Sequence, residues 1–213
     1  DIDGDELQFN ASSDDLNVGV EVVNNQLALT PSDNWNGTVN VSVTVSDSAS
    51  NEIGDELIDS EVFVLTVNPI NDAPILAEVG AVTTDEDTPL TIALSASDVD
   101  GDDLIFSAQS YSENNVSVNV VGDQLTMTPA LNFNGAVDIS VAVSDGGFTD
   151  SEIFEFVVNS VNDAPILAEV GAVTTDEDTP LTIALSGSDI DGDELQFNAS
   201  SDDLNVGVEV VNN

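Results

Sequence analysis

The chain has 213 residues, of which 42 are Asp or Glu and none is Lys, Arg, His or Cys, so its formal net charge is −42. With no cation to neutralise phosphate, the composition excludes nucleic-acid binding and docking on an anionic membrane. Catalysis by His, Lys or Cys, iron–sulfur sites and disulfide bonds are excluded by the same count. The oxygen ligands that remain suit hard cations, above all Ca²⁺. The 41% hydrophobic content predicts packed cores rather than disorder.

Internal repetition organises the chain. Residues 1–25 return letter for letter at 189–213, and residues 71–95 return at 162–186. Repetition on the scale of a small domain predicts a tandem array, divided here by the linkers NPINDAP and NSVNDAP. We therefore predict the C-terminal part of one repeat at residues 1–70, a complete repeat at 71–161 and the N-terminal part of a third repeat at 162–213.

The incomplete outer repeats allow two interpretations. The chain can be a window on a longer array, or its two halves can complement each other between chains, as in donated-strand filaments. In the second case the duplicated residues 189–213 would be redundant. This redundancy favours the window.

The first half of the complete repeat carries three acidic groups. Asn71 and Asp72 lie in the linker, Asp85-Glu86-Asp87 precedes a Thr-Pro pair, and a DVDGD turn spans residues 98–102. Each group alone is typical of turns and caps. Three carboxylates placed side by side in DVDGD repel one another strongly unless a cation lies among them. The turn is not an EF-hand, because the sixth and twelfth positions counted from Asp98 are not Gly and Glu.

The second half of the complete repeat alternates apolar and polar residues with a period of two. This pattern, rich in β-branched residues, predicts half-buried antiparallel strands. Gly122-Asp123, Asn134-Gly135 and Gly146-Gly147 mark turns between them. About seven short strands per repeat predict an all-β fold of tandem Greek-key sandwiches of the immunoglobulin kind. The alternating positions are Val116, Val118 and Val120; Val137, Ile139, Val141 and Val143; and Phe154, Phe156 and Val158.

The acidic groups recur at fixed places in every repeat, and a lone Asp ends a predicted strand in the first two. Because no cation on the chain offsets these charges, we predict that Ca²⁺ does. The predicted metal ligands are Asp1, Asp3 and Asp47 in the first repeat; Asn71, Asp72, Glu86, Asp98, Asp100, Asp102 and Asp145 in the second; and Asn162, Asp163, Glu177, Asp189, Asp191 and Asp193 in the third.

Two aromatic residues, Trp35 and Phe133, occupy equivalent positions in N-[WF]-N-G turns. A core anchor at a strand entry is the favoured interpretation. A sugar-binding platform is the alternative.

The pattern NDAPIL, TDEDTPLTI, SDVDGDDL, NFNG, VAVSDGG and VNDAP resembles the cadherin-like tandem repeats of large bacterial, RTX-type surface adhesins. At longer range it is similar to animal cadherin domains. The resemblance implies a seven-stranded sandwich with Ca²⁺ held at each interdomain junction. It matches Glu86 and Glu177 to the glutamate of the first cadherin strand. The cadherin Asp-Arg-Glu element would fall near residues 128–131, where no acid is present, so fewer ions per junction are expected.

The resemblance also implies which residues clamp the two junctions. The first would be held by Asn71, Asp72, Asp98, Asp100 and Asp145. The second would be held by Glu86 from the preceding repeat and by Asn162, Asp163, Asp189 and Asp191 from the following one.

We predict a calcium-stiffened structural extender of an extracellular adhesin or surface filament, secreted or on the cell surface. Its partners would be neighbouring repeats of the same chain and like chains in a filament, with no membrane insertion in this segment. The alternative is a repeat that itself mediates adhesion, by homophilic or glycan binding. A paired-carboxylate glycosidase is disfavoured, because the acids are committed to linkers, so we expect no enzyme.

Overall fold

The structure is a computed structural model that describes residues 6–47 and 57–211. These residues form strands and connecting turns with no α-helix, so none of their segments is a helix able to span a membrane. The strands are β1 (Leu7–Ser13), β2 (Val18–Val23), β3 (Gln26–Pro31), β4 (Gly37–Asp47), β5 (Ile58–Val67), β6 (Ile75–Leu76), β7 (Val82–Asp85), β8 (Leu90–Ala93), β9 (Ala96–Ser97), β10 (Ile105–Ser110), β11 (Val116–Val121), β12 (Gln124–Pro129), β13 (Gly135–Ser144), β14 (Thr149–Asn159), β15 (Ile166–Leu167) and β16 (Gly187–Ser188).

The chain divides into two compact units. The first comprises the described parts of Asp1–Leu76 with Ala96–Ile105 and Val143–Asp150. The second comprises Ala77–Ser95, Phe106–Ala142 and the described part of Ser151–Asn213.

Two sheets form the sandwich of the second unit. One has the order β10-β13-β14-β7 and the other β11-β12-β8. The strand β7 runs parallel to β14, with Val82 beside Phe156, whereas β8 runs antiparallel to β12, with Ile92 beside Leu125. These seven strands of four or more residues confirm the predicted all-β sandwich.

The core of the sandwich lies where the period-2 pattern predicts it. Ile139 and Val141 of β13, Phe156 of β14, and Leu125 and Met127 of β12 are fully buried. The residues between them in sequence face outward, because successive side chains of a strand point to opposite faces. Of the predicted positions, Val116, the four in β13 and the three in β14 are buried, whereas Val118 and Val120 are half-buried.

The first unit contains counterparts of the last five strands of the complete repeat. Its sheet has the order β1-β4-β5, and β2 and β3 form a separate hairpin. Asn24 and Asn25 connect this hairpin with φ of 50° and 60°, the left-handed pair that a two-residue turn requires. Trp35 packs against the buried core of Val18, Val39 and Val41, which is the core-anchor role predicted for it.

The C-terminal part of the second unit carries little regular structure. Among the described residues after β14, only β15 and β16 form a ladder, with Ile166 beside Ser188. This ladder repeats the β6–β9 pairing of Ile75 with Ser97. Leu181 and Ile183, between its two strands, are exposed.

Candidate metal centre

The DVDGD turn of the first unit gathers three carboxylates. Asp98 Oδ1 accepts hydrogen bonds from the backbone N–H groups of Asp100 at 2.9 Å and Gly101 at 3.0 Å. Gly101 has φ of 79°, a left-handed conformation that glycine adopts without steric cost. The turn brings one carboxylate oxygen each of Asp98, Asp100 and Asp102 to within 4.8 Å of one another. We call this group the first cluster.

The linker and the loop after β13 close around the first cluster. Asn71 Nδ2 donates a hydrogen bond to Asp145 Oδ2 at 2.9 Å, and the backbone N–H of Asp72 donates to Asp100 Oδ2 at 2.8 Å. Asp145 Oδ1 accepts the backbone N–H groups of Gly147 and Phe148, each at 2.6 Å. Residues predicted as ligands from three separate segments are therefore neighbours.

The pKa values of Asp102 in the first cluster and of Asp145 beside it are shifted in opposite directions. Desolvation, followed by repulsion from Asp98, Asp100 and Asp145, raises the pKa of Asp102 above its ordinary range. The hydrogen bond from the Phe148 N–H, followed by that from Asn71, lowers the pKa of Asp145. Asp98 Oδ2 is buried with no hydrogen-bond partner among the described residues. A buried anionic oxygen is costly unless paired, so this site suits a cation.

A second cluster forms in the second unit from residues on both sides of the linker NSVNDAP and within it. Glu86, which follows β7, is only 5% exposed, and its Oε1 accepts the backbone N–H of Val161. One carboxylate oxygen each of Glu86, Asp163 and Asp191 lies within 4.8 Å of the others. The second cluster thus joins the end of β7, the linker and the next DxDGD turn.

The hydrogen bonds of the second cluster repeat those of the first. The backbone N–H of Asp163 donates to Asp191 Oδ2 at 2.7 Å, and the N–H of Asp191 donates to Asp189 Oδ1 at 3.0 Å. Asn162 Nδ2 donates to the carbonyl oxygen of Asp163 at 3.0 Å. Desolvation, followed by repulsion from Asp191 and Glu86, raises the pKa of Asp163.

Two further residues belong to the second cluster, Asn132 and Asp87. The backbone N–H of Asn132 donates to Asp87 Oδ1 at 2.8 Å. With its amide oriented to donate, the Asn132 nitrogen is 3.2 Å from Asp87 Oδ2 and 3.3 Å from Asp163 Oδ2. The opposite orientation presents the amide oxygen to both carboxylates, which is favourable only with a cation between them. In the sequence, Asn132 is the first residue of the NFNG turn. The sequence analysis assigns a role only to the aromatic residue of this turn, so it does not identify Asn132 as a candidate ligand.

A cleft of about 340 Å³ opens beside the second cluster. Asn132, Asp163 and Asp189 supply its polar wall. Ala164, Ile166, Ser188 and Ile190 supply the rest of the lining. Carboxylate and amide oxygens dominate the polar wall, and this donor set fits Ca²⁺.

Of the remaining predicted ligands, Asp47, Glu177 and Asp193 are described and are not gathered in either cluster. Asp1 and Asp3 lie outside the described residues. Asp47 Oδ1 accepts the backbone N–H of Leu57 at 2.8 Å. Asp193 donates its backbone N–H to Asp189 Oδ1 at 3.2 Å, and Glu177 is exposed.

Comparison with known proteins matches the complete repeat to a described family. Residues 71–156 match the family model "Bacterial Ig domain". The chain is 25% identical over 132 residues to Chitinase A of Pseudoalteromonas piscicida, a match that covers 61% of this chain and 16% of the chitinase.

Cadherin ectodomains are among the solved structures similar to this chain. Mouse cadherin-23 EC22-24 superposes with a TM-score of 0.52 at 18% identity, covering 72% of this chain and 53% of that one. Drosophila N-cadherin EC1-4 gives a TM-score of 0.45 at 17% identity, covering 76% of this chain and 44% of that one. The cadherin-23 likeness shows the fold alone. With the family model, it supports a cadherin- or immunoglobulin-like repeat.

Proposed function

We propose that this chain of cadherin- and immunoglobulin-like repeats is a calcium-stiffened structural extender of an extracellular bacterial surface protein. The observation that carries the proposal is the composition of the second cluster. Glu86 comes from the complete repeat, whereas Asp163 and Asp191 come from the linker and the following repeat. A cation bound to all three would tie the linker to both repeats and reduce its freedom.

The charge of the chain supports this role. With 42 acidic residues and no basic one, the chain has no internal means of neutralising its clusters. Ca²⁺ would be held by Glu86, Asp163, Asp191 and Asn132 in the second cluster, and by Asp98, Asp100 and Asp102 in the first. When bound, it would supply the positive charge that screens their mutual repulsion. Without it, like charges at the linkers favour open, flexible arrangements.

The expected affinity agrees with an extracellular setting. Extracellular calcium modules typically bind with Kd of about 10⁻⁴ to 10⁻³ M. Millimolar external calcium would therefore fill the clusters, and micromolar cytosolic calcium would leave them empty. The match of residues 71–156 to a bacterial family model supports the bacterial origin.

Thermal unfolding and small-angle scattering test the proposal together. We expect 2 mM CaCl₂, compared with EGTA at matched ionic strength, to raise the Tm and to reduce the spread of end-to-end distances. This calcium concentration is about twice the upper limit of the expected Kd, so the sites should be mostly occupied. MgCl₂ at equal concentration serves as the control for a general ionic effect. An identical Tm and scattering curve in calcium and EGTA would refute the proposal.

A second candidate function is a repeat that itself binds carbohydrate or a like chain. The similarity to part of a chitinase favours this candidate. The structure disfavours a sugar-binding platform at Trp35, because this side chain packs against the core of the first unit. A glycan array and a bead-aggregation assay, each with and without calcium, separate the candidates, since an extender gives no signal in either.

A further inference from the structure

The first and last strands of the sandwich in the second unit lie side by side. The strand β7 pairs with β14 in parallel, from Val82 beside Phe156 to Asp85 beside Asn159, a ladder of four residue pairs. Past the end of this ladder, the backbone N–H of Glu86 donates to the carbonyl oxygen of Asn159 at 2.9 Å. The segments by which the chain enters and leaves the sandwich are therefore joined directly to each other.

This parallel arrangement determines how a pulling force acts on the sandwich. Tension applied along the chain pulls β7 toward its N-terminus and β14 toward its C-terminus. Because the two strands are parallel, these are opposite directions along one axis. The contacts between the two strands are then loaded together in shear, instead of being broken one after another.

Two carboxylates extend the contact beyond both ends of the ladder. Ahead of β7, the backbone N–H of Val79 donates to Oε1 of Glu152 on β14. After β7, Oε1 of Glu86 accepts the backbone N–H of Val161. The partners are 73 and 75 positions apart in the chain, close to the 74 positions that separate Asp85 and Asn159 in the ladder. The tied stretch of the entering segment thus lengthens from four residues to residues 79–86.

These two bonds are of the kind that holds best against water. A hydrogen bond to an ionised carboxylate is stronger than one between neutral groups, and partial burial limits competition from solvent. Glu86 is 5% exposed and Glu152 is half-buried. The chain has no Lys, Arg or His, so no ion pair between side chains can join the two segments. Carboxylates bonded to backbone N–H groups take that place.

We propose that Glu152 and Glu86 act as mechanical staples, which extend the β7–β14 ladder and set the resistance of the complete repeat to traction. This role goes beyond the extender function, because calcium at the linkers opposes bending whereas the staples oppose pulling. The proposal rests on the extender function only for the origin of the load. The staples themselves require no ion.

Force spectroscopy on the full chain tests the proposal. The chain has no Cys, so Ala77→Cys and Ala164→Cys, both at exposed positions, attach handles at two chosen points and load only the residues between them. The unfolding rate is measured at constant force in EGTA. We expect Glu152→Ala to raise this rate about tenfold, the factor expected for loss of a hydrogen bond to a charged group. The matched control is Glu155→Ala, an exposed acid of the same strand, which should leave the rate within about twofold of the parent.

Thermal unfolding of the same variants separates a mechanical role from a general contribution to stability. Leu125→Ala removes a fully buried side chain of β12 and should lower the Tm more than Glu152→Ala does. Under load the order should reverse, with Glu152→Ala unfolding faster than Leu125→Ala. Glu86→Ala, also in EGTA, should act under load in the same direction as Glu152→Ala.

Two results would overturn the proposal. One is an equal unfolding rate for Glu152→Ala and Glu155→Ala under load. The other is the same order of Glu152→Ala and Leu125→Ala under load as in thermal unfolding. Because every measurement is made in EGTA, a lack of any calcium effect on Tm and scattering would refute the extender function without changing these outcomes.

Discussion

The backbone N–H of Val161 donates a hydrogen bond to Oε1 of Glu86, a carboxylate that lies 75 positions earlier in the chain. Glu86 is the buried carboxylate of the part of the chain that the structure describes. A buried carboxylate with acidic neighbours is expensive without a cation. This pair links the residue that follows β7 to the linker NSVNDAP.

Removing the charge of Glu86 should weaken calcium binding at the second cluster. Glu86→Gln keeps an oxygen that can accept the Val161 N–H but loses the carboxylate. We expect the calcium affinity of this site to fall about tenfold or more, since charge count sets affinity in oxygen sites. Isothermal titration calorimetry measures the change. The control is Glu113→Gln, an exposed acid outside both clusters, and equal affinities in the two variants would contradict the assignment.

Asn132 should contribute to the second cluster without affecting the first. Asn132 has φ of 54°, so glycine is the replacement that removes the amide without backbone strain. We expect Asn132→Gly to lower calcium affinity at one class of site by about tenfold, a typical effect for a supporting ligand. Asn34→Gly changes the equivalent residue of the first unit, with φ of 58°, and provides the matched control. A calcium titration of Asn132→Gly that matches that of Asn34→Gly would show that the amide is only a turn residue.

Asp102 and Asp145 should protonate in a set order in the absence of calcium. The pKa of Asp102 is raised and that of Asp145 is lowered, relative to about 3.9 for an ordinary Asp. For Asp102 the folded state binds the proton more tightly, so its contribution to stability grows as pH falls through the raised pKa. For Asp145 the contribution is present above the ordinary pKa and is lost as pH falls through the lowered one.

Carboxyl carbon chemical shifts, followed by NMR across the acidic range, measure this order. We expect Asp102 to protonate at higher pH than Asp145. Added calcium should move the midpoint of Asp102 to lower pH, because the ion competes with the proton. An Asp102 midpoint at or below that of Asp145 in EGTA would be inconsistent with the geometry of the cluster.

Equivalent core leucines should differ in their contribution to stability. Leu125→Ala removes a fully buried side chain and should cost about 2–5 kcal/mol of unfolding free energy. Leu27→Ala removes its counterpart, which is 37% exposed, and should cost clearly less. Urea denaturation at low protein concentration compares the two. Equal losses would mean that Leu27 is covered in solution as fully as Leu125.

Much of the fold follows from the sequence because period-2 alternation constrains each strand strongly. The positions Ile139, Val141 and Phe156 are buried as the alternation predicts. The DxDGD spacing likewise predicts that the carboxylates of Asp98, Asp100 and Asp102 lie close together, because a short turn restricts the positions that they can take. Both predictions depend only on residues that are close together in the sequence.

The remaining features depend on contacts that no local pattern encodes. Asn132 enters the second cluster because β12 and β13 bring its turn beside Asp87, and Asn is too common in turns to mark a ligand by itself. Glu177 has the same local sequence as Glu86 but is exposed, so the local sequence does not by itself decide the burial of this carboxylate. The predicted ligand roles of Glu177, Asp47, Asp1 and Asp3 remain predictions, as do the repeat boundaries.

Anomalous difference density tests the central claim most directly. Crystals of the chain grown in millimolar CaCl₂ and measured at a long wavelength should show a peak among the carboxylates of Glu86, Asp163 and Asp191, which vanishes in Glu86→Gln crystals. Clear density for these three side chains with no anomalous peak, and with water in place of an ion, would contradict the account.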